Sequence, residues 1–106
     1  GKATMTLSYH AQYERAYRIN LLEETLGFTH IVLEATNREK TYRYCVTSSG
    51  ILIVKPYTQD LMVTAYMVGL EECYRVARAA GKSCIPPKLE KRIRKNFERH
   101  AELYRI

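Results

Sequence analysis

Apolar and polar side chains alternate through the middle of the chain, a period that is typical of half-buried β-strands. In one segment Tyr42, Tyr44 and Val46 face one way, while the residues between them face the other. Neighbouring segments are rich in β-branched residues or form short apolar runs bounded by turn residues. The pattern predicts four strands: Phe28–Thr36, Thr41–Thr47, Ile51–Val54 and Leu61–Val68. Their short connections make consecutive strands antiparallel.

Helical spacing precedes these strands. Either Thr6 or Ser8 caps a first helix that starts near Tyr9. Asn20 caps a short second helix, Leu21–Leu26, which a glycine stops.

Helical spacing also follows the strands. One helix begins at Gly69 or at the acidic pair after it and runs to about Ala80, and another follows Pro87 from Lys88 to about Tyr104. The order predicts an α+β fold with an N-terminal helix or helices, a four-stranded antiparallel meander sheet and two C-terminal helices. One face of that sheet packs on helices, and the other stays open or is partly covered by the C-terminal pair.

Length and composition favour one soluble domain over residues 1–106. The hydrophobic fraction is 46% and the charged fraction 26%, and 106 residues are enough to bury a core. No apolar run approaches the length of a membrane span, and the N-terminus lacks an apolar signal segment, so no membrane partner is expected. Because the chain begins with Gly1 and its first methionine is Met5, we expect either added leading residues or a domain cut from a longer chain.

Charge changes this picture by favouring an anionic partner. The formal net charge is +6 and the pI about 9.3, a balance that suits nucleic acid. Much of the charge lies in the last helix. Its candidate nucleic-acid-binding residues are Lys88, Lys91, Arg92, Lys95 and Arg99. The alternative is that they form the solvated face of an amphipathic helix.

Cysteine and histidine spacing indicates no metal or cofactor. Cys45, Cys73 and Cys84 are odd in number and contain no C-x-x-C pair, which predicts buried or semi-buried free thiols in a reducing compartment. The three histidines do not have the spacing of metal ligands.

Candidate chemistry comes from a helix and two strands. The first helix carries His10, Arg15 and Arg18, with His10 and Arg18 on one face. Thr47 ends a strand beside a turn, and Thr64 and Tyr66 share a face of the last strand. Metal-free ribonucleases need a proton shuttle, a cation for the phosphate and hydroxyl groups to position it. The alternatives are a surface histidine, two threonines that only favour β-structure and a packing tyrosine.

The same residues carry a family resemblance. SYHAQYERAYRI resembles the opening helix, "HA" followed by arginines, of small barnase/EndoU/colicin/RelE-like (BECR-type) ribonuclease domains, and VTSSGILIV with LMVTAYMV is similar to their paired strands. Such domains occur in phage-encoded proteins and in bacterial toxin C-termini. The resemblance covers a ribonuclease-like core of about residues 6–68, with the C-terminal helix pair, residues 69–106, outside it.

The resemblance implies metal-independent cleavage of RNA, often tRNA, through attack of the 2′-hydroxyl on the adjacent phosphate. It implies His10 as proton shuttle and Arg15 or Arg18 as phosphate ligand, with Arg18 favoured because Arg15 lies five residues after His10 rather than four. Thr47, Thr64 and Tyr66 would position the substrate or contact the oxyanion.

A toxin or phage protein of this kind acts in the cytoplasm, where it either is made or is delivered as part of a longer secreted toxin, and it meets a cognate inhibitor (immunity or antitoxin) protein. Two other classes remain open: a non-catalytic module that binds nucleic acid or protein, and an interaction protein that dimerises through its C-terminal helices.

Overall fold

The computed structural model describes residues 6–7 and 16–104. In chain order the elements are β1 (Thr6–Leu7), α1 (Ala16–Thr25), β2 (Ile31–Thr36), β3 (Tyr42–Thr47), β4 (Ile51–Pro56), β5 (Leu61–Met62), β6 (Thr64–Met67), α2 (Leu70–Ala79), α3 (Pro87–Arg99) and α4 (Ala101–Tyr104). This order confirms the predicted α+β class.

The main sheet has the strand order β2-β3-β4-β6, with every neighbouring pair antiparallel. Short turns join its first three strands. In the β2–β3 turn Asn37 Oδ1 accepts hydrogen bonds from the backbone N–H groups of Thr41 and Tyr42 at 2.8 and 3.0 Å. In the β3–β4 turn Gly50 adopts a φ of 86°, a left-handed conformation that glycine reaches without strain. The meander expected from the sequence is therefore present, with β6 at one edge.

Helices cover both faces of this sheet. One face, which we call the α1 face, packs Cys45, Ile53 and Ala65 against Ile19 and Leu22 of α1. The opposite face, the α2 face, packs against the C-terminal helices; the apolar residues buried there include Leu33, Val46, Leu52, Val76, Leu89 and Ile93. Residues 69–104 thus share a core with the strands instead of forming a separate unit.

Helix α1 differs from the predicted pair of helices. It runs from Ala16 to Thr25 through Asn20, whose side chain is exposed, and so the expected break at this residue is wrong. A solvent-facing asparagine does not have to leave the helix to satisfy its amide. The helix ends as predicted at Gly27, which has a φ of 77° and donates its N–H to Leu22 O at 3.1 Å. The helix start expected at Tyr9 lies outside the described residues.

The last predicted strand is divided between two sheets. Its first part, β5, pairs in parallel with β1, and its second part, β6, pairs with β4. Between the two parts Val63 donates its N–H to Val54 O at 2.8 Å. The sequence did not predict the β1 pairing, because a two-residue strand carries no recognisable alternation.

The last predicted helix is also divided. At His100 the backbone leaves the helical region, with a φ of −136°, although its N–H still reaches Asn96 O at 2.7 Å. The short α4 that follows buries Leu103 in the core of the α1 face and packs the ring of Tyr104 against that of Phe97, with centroids 4.9 Å apart and an interplanar angle of 44°. The expected single helix to Tyr104 is therefore wrong, and the break turns α4 back onto the sheet.

Asn96 fixes α3 to the β3–β4 turn. Its side chain is 2% exposed, and Nδ2 donates to Ser49 O at 2.8 Å. The close approach depends on Gly50, since a Cβ there would lie 2.6 Å from Asn96 Nδ2. A polar side chain thus determines where an otherwise apolar helix face docks.

Asn96→Ala is expected to lower the free energy of unfolding by ~1–3 kcal/mol, because Ser49 O would remain buried without a donor. Urea unfolding followed by circular dichroism measures the change. Asn20→Ala is the matched control, since Asn20 lies exposed on α1 and its replacement should leave stability unchanged or slightly raised. Equal stability of the Asn96 variant and the wild type would contradict this role.

Candidate functional site

A cleft with a volume of about 360 Å³ opens between α2 and the α2 face of the sheet. Strand alternation and register build its sheet side, because Leu52 pairs with Tyr66 and Tyr44 pairs with Val54, so that all four side chains share one face. The residues around the cleft are Ala35, Tyr44, Leu52, Tyr66, Glu72, Arg75, Val76 and Ala79. The cleft therefore combines an apolar floor with two phenols, a carboxylate and a guanidinium.

Arg18 reaches the same region from the other side of the edge strand. Although α1 packs on the opposite face, Nη2 of Arg18 donates to Oγ1 of Thr64 at 2.5 Å. Thr64 lies two residues before Tyr66 and on the same face of β6. A threonine hydroxyl that accepts one hydrogen bond can still donate its own proton. This contact places a cation and a hydroxyl donor beside Tyr66.

The environment of Tyr66 favours its neutral phenol. Burial raises the pKa of Tyr66 above its ordinary value, and the carboxylate of Glu72 and the phenol of Tyr44 raise it further. The guanidinium groups of Arg18 and Arg75 act in the opposite direction and lower this pKa. Arg75 lines the cleft with Tyr66, and Arg18 contacts Thr64 on the same strand. A tyrosine whose pKa is raised stays protonated at neutral pH. Tyr66 is therefore suited to donate a hydrogen bond and unsuited to act as a base.

Glu72 is held in the cleft by a residue of α4. The hydroxyl of Tyr104 donates to Glu72 Oε1 at 2.5 Å, and this hydrogen bond is the largest cause that raises the pKa of Tyr104 to about 12. Gly69 permits the approach, because a Cβ there would lie 3.2 Å from Tyr104 Oη and 3.3 Å from the Phe97 ring. The position of the carboxylate thus depends on the docking of α4.

Glu72 and Arg75 were not among the predicted site residues. The sequence showed an acidic pair at the start of a helix, which the helix dipole explains by itself. One signal in the sequence could have identified these two residues. The connection between Met67 and Leu70 is short, and it brings the first two turns of α2 next to Tyr66 near the end of β6. Residues three apart on a helix share a face, so Glu72 and Arg75 both point toward the sheet edge.

The structure brings together three of the six predicted catalytic residues: Arg18, Thr64 and Tyr66. His10 and Arg15 lie outside the described residues, and their roles stay predictions. The remaining residue, Thr47, lies elsewhere.

Thr47 belongs to the β3–β4 turn. It is fully buried on the α1 face, its Oγ1 lies 2.9 Å from Ser49 Oγ, and it accepts the N–H of Ile51 at 3.2 Å. Ser49 Oγ in turn donates to Gly27 O at 2.7 Å. These contacts explain the sequence Thr-Ser-Ser-Gly as turn chemistry. The expectation that Thr47 joins Thr64 and Tyr66 is not met, because strand alternation points it to the opposite side of the sheet.

The predicted nucleic-acid-binding residues of α3 are all exposed. They are Lys88, Lys91, Arg92, Lys95 and Arg99. The concavity that four of them line, Lys88, Lys91, Arg92 and Lys95, shares no residue with the cleft. The cleft and the basic concavity of α3 are therefore two separate features of the described structure.

The three cysteines are free thiols in different environments. Cys45 and Cys73 are buried, and burial is the largest cause that raises the pKa of Cys45 to about 12 and that of Cys73 to about 11. Cys84 is exposed, unlike the buried or semi-buried thiol that the sequence predicted. Across residues 6–7 and 16–104, no three His, Cys, Asp or Glu side chains cluster as metal ligands would.

Comparisons with known proteins identify no relative of this chain. No protein-family model matches the sequence, and no curated protein or solved structure is significantly similar to it. Within the described part of the chain, no helix has the length and apolar character needed to cross a membrane.

Glu72→Gln is expected to lower the pKa of Tyr104 from about 12 toward 10.0, because a neutral amide oxygen stabilises the phenol proton less than a carboxylate does. Since the folded-state pKa is raised, this hydrogen bond stabilises the fold below pH 10, and its contribution is lost as the pH rises toward 12. NMR of tyrosines labelled with ¹³C at Cζ follows the titration. Glu71→Gln is the matched control and should cause a smaller decrease, since Glu71 acts on Tyr104 only through its charge. Equal shifts in both variants would contradict the contact.

Proposed function

We propose that the protein is a metal-independent ribonuclease-like domain that binds and cleaves RNA at the cleft between β6 and α2. The proposal depends mainly on one observation, the contact of Arg18 with Thr64 beside Tyr66, across from the carboxylate of Glu72. Tyr66, Glu72 and Arg75 line the cleft, and the hydrogen-bonded pair of Arg18 and Thr64 lies beside Tyr66. Cations, hydroxyl donors and a carboxylate are groups that phosphodiester cleavage uses.

The cations of this set balance the charge of a phosphodiester. Arg75 lines the cleft with Tyr66, and Arg18 contacts Thr64 two residues before it, so a phosphate beside that phenol would lie near two positive charges. Guanidinium groups match the geometry of phosphate oxygens and remain charged at all relevant pH values. They would stabilise the additional negative charge of the phosphorane.

The hydroxyl groups orient the same phosphate. Thr64 Oγ1, fixed by Arg18, and the protonated phenol of Tyr66 would donate hydrogen bonds to its non-bridging oxygens. Because strand β6 holds both side chains on one face, their separation is set by the backbone and does not depend on substrate. Pre-arranged donors of this kind stabilise the transition state without reorganisation.

Glu72 is the proposed general base. Its carboxylate would remove the proton of the 2′-hydroxyl as that oxygen attacks phosphorus. The bond from phosphorus to the 5′-oxygen then breaks, and the products are a 2′,3′-cyclic phosphate and a free 5′-hydroxyl. The leaving oxygen needs a proton, and the family resemblance gives this role to His10.

The toxin or phage origin and the inhibitor protein belong to the same proposal and depend on the resemblance alone. Substrates of the tRNA class follow from it too. A non-catalytic nucleic-acid-binding module is the outcome if RNA is bound and left intact.

Glu72→Gln is expected to slow cleavage of total tRNA in EDTA by ~100-fold to ~10,000-fold, which is typical for loss of a general base. Gel analysis with end-labelled RNA measures the rate and identifies the cyclic phosphate. The matched control is Glu71→Gln, because Glu71 precedes Glu72 on the same turn and does not line the cleft. A second variant, Arg75→Gln, removes one of the two guanidinium groups and should also slow cleavage. Its matched control is Arg78→Gln, since Arg78 lies exposed one turn further along α2.

Equal rates for wild type and Glu72→Gln would remove Glu72 from the mechanism. Absence of cleavage in the wild type across tRNA, mRNA and rRNA would overturn the enzyme assignment. Melting temperatures of the Glu71, Arg75 and Arg78 variants should stay close to that of the wild type. The Glu72 variant, which weakens the contact with Tyr104, should still be fully folded at the assay temperature, so that a loss of activity reports on chemistry and not on folding.

A further inference from the structure

Helix α3 carries a row of cations that the cleft does not use. We call the exposed residues Lys88, Lys91, Arg92, Lys95 and Arg99 the basic stripe. Apart from the adjacent Lys91 and Arg92, successive members are three or four residues apart, which places them along one side of the helix over a length of ~16 Å at 1.5 Å per residue. Six cationic and two acidic side chains give α3 a net charge of +4, out of +6 for the chain.

The basic stripe is not neutralised within the described part of the protein. The ion pair of α3 joins Arg94 to Glu90 at 3.0 Å, and neither residue belongs to the stripe. No stripe residue lies within 4.0 Å of an acidic group among residues 16–104. A helix stabilised by its own surface charges would pair them at spacings of three or four. The charge of the stripe therefore remains available to a partner.

Four members of the stripe surround a concavity of about 240 Å³: Lys88, Lys91, Arg92 and Lys95. Like charges held this close repel one another, and an anion placed among them would relieve the repulsion. No apolar side chain lines this concavity. Protein interfaces usually have an apolar centre, so the lining suits a phosphate group better than an acidic protein surface.

The opposite side of α3 is fixed in the core. Leu89 and Ile93 are buried against the sheet, and Asn96 is bonded to Ser49 O. A basic amphipathic helix binds a lipid surface by inserting its apolar face, and here that face is already used. The stripe is thus a rigid row of cations on the protein surface.

From these observations we propose that the basic stripe binds the phosphate backbone of RNA at a place separate from the cleft. The choice of RNA rests on the proposed function, whereas the phosphate chemistry rests on the stripe itself. The substrate class that follows is RNA long enough to occupy both places, in preference to a dinucleotide that fills only the cleft.

The test is the salt dependence of RNA binding, measured by fluorescence anisotropy with a labelled single-stranded RNA whose 2′-hydroxyl groups are methylated, so that it stays intact. Neutralising Lys91, Arg92 and Lys95 to Gln should reduce the slope of log K against log salt by roughly 2, at about 0.7 per lost phosphate contact. A matched variant, Arg78→Gln with Lys82→Gln, removes exposed cations outside the stripe and should keep the wild-type slope. An unchanged slope in the triple variant overturns the proposal.

Two further outcomes separate this proposal from its alternatives. If polyglutamate competes as effectively as RNA of equal charge, the stripe suits an acidic protein partner, and the choice of RNA is overturned. Cleavage of a dinucleotide should be unchanged in the triple variant, while kcat/KM for long RNA falls. If no RNA is cleaved by the wild type, the proposed function fails, and the salt slopes still decide whether the stripe binds RNA.

Discussion

The register of strand β6 against β4 is the constraint on which the rest of the site depends. Because Val54 pairs with Thr64 and Leu52 with Tyr66, these two polar residues share the α2 face, while Ala65 and Met67 enter the core under α1. A shift of one residue would exchange the two sets, exposing apolar side chains and burying the hydroxyls. The burial of the α1 face therefore determines where the hydroxyl groups of the cleft point.

The edge position of β6 explains how four distant parts of the chain meet. A side chain cannot pass from one face of a sheet to the other across an interior strand, but at the edge strand Arg18 can reach from α1 around to Thr64. On the other side α2 brings Glu72, and α4 brings Tyr104 to hold it. Docking of α3 by Asn96 in turn determines where α4 begins. The cleft is consequently formed together with the fold. Loosening of the C-terminal helices would release Glu72, the proposed base, before the other groups of the cleft.

Much of this arrangement could be predicted from the sequence where it follows from local periodicity. Strand alternation placed Thr64 and Tyr66 on one face, and the meander followed from short polar turns. Thr47 shows where local periodicity stops being informative. A threonine at the end of a strand can serve either a cleft or a turn, and only its contacts with Ser49 and Ile51 show that Thr47 serves the turn. Glu72 was missed for a related reason. Its position in the first turn of a helix is visible in the local sequence, whereas its position beside Tyr66 depends on tertiary packing.

The central claim is that the cleft between β6 and α2 takes the phosphodiester of RNA, and NMR mapping with a non-cleavable 2′-deoxy dinucleotide tests it most directly. The account predicts that the largest chemical-shift changes occur at Thr64, Tyr66, Glu72 and Arg75, with the Arg18 side chain moving in the same titration. Changes confined to α3, or no saturable changes in the cleft, would contradict it.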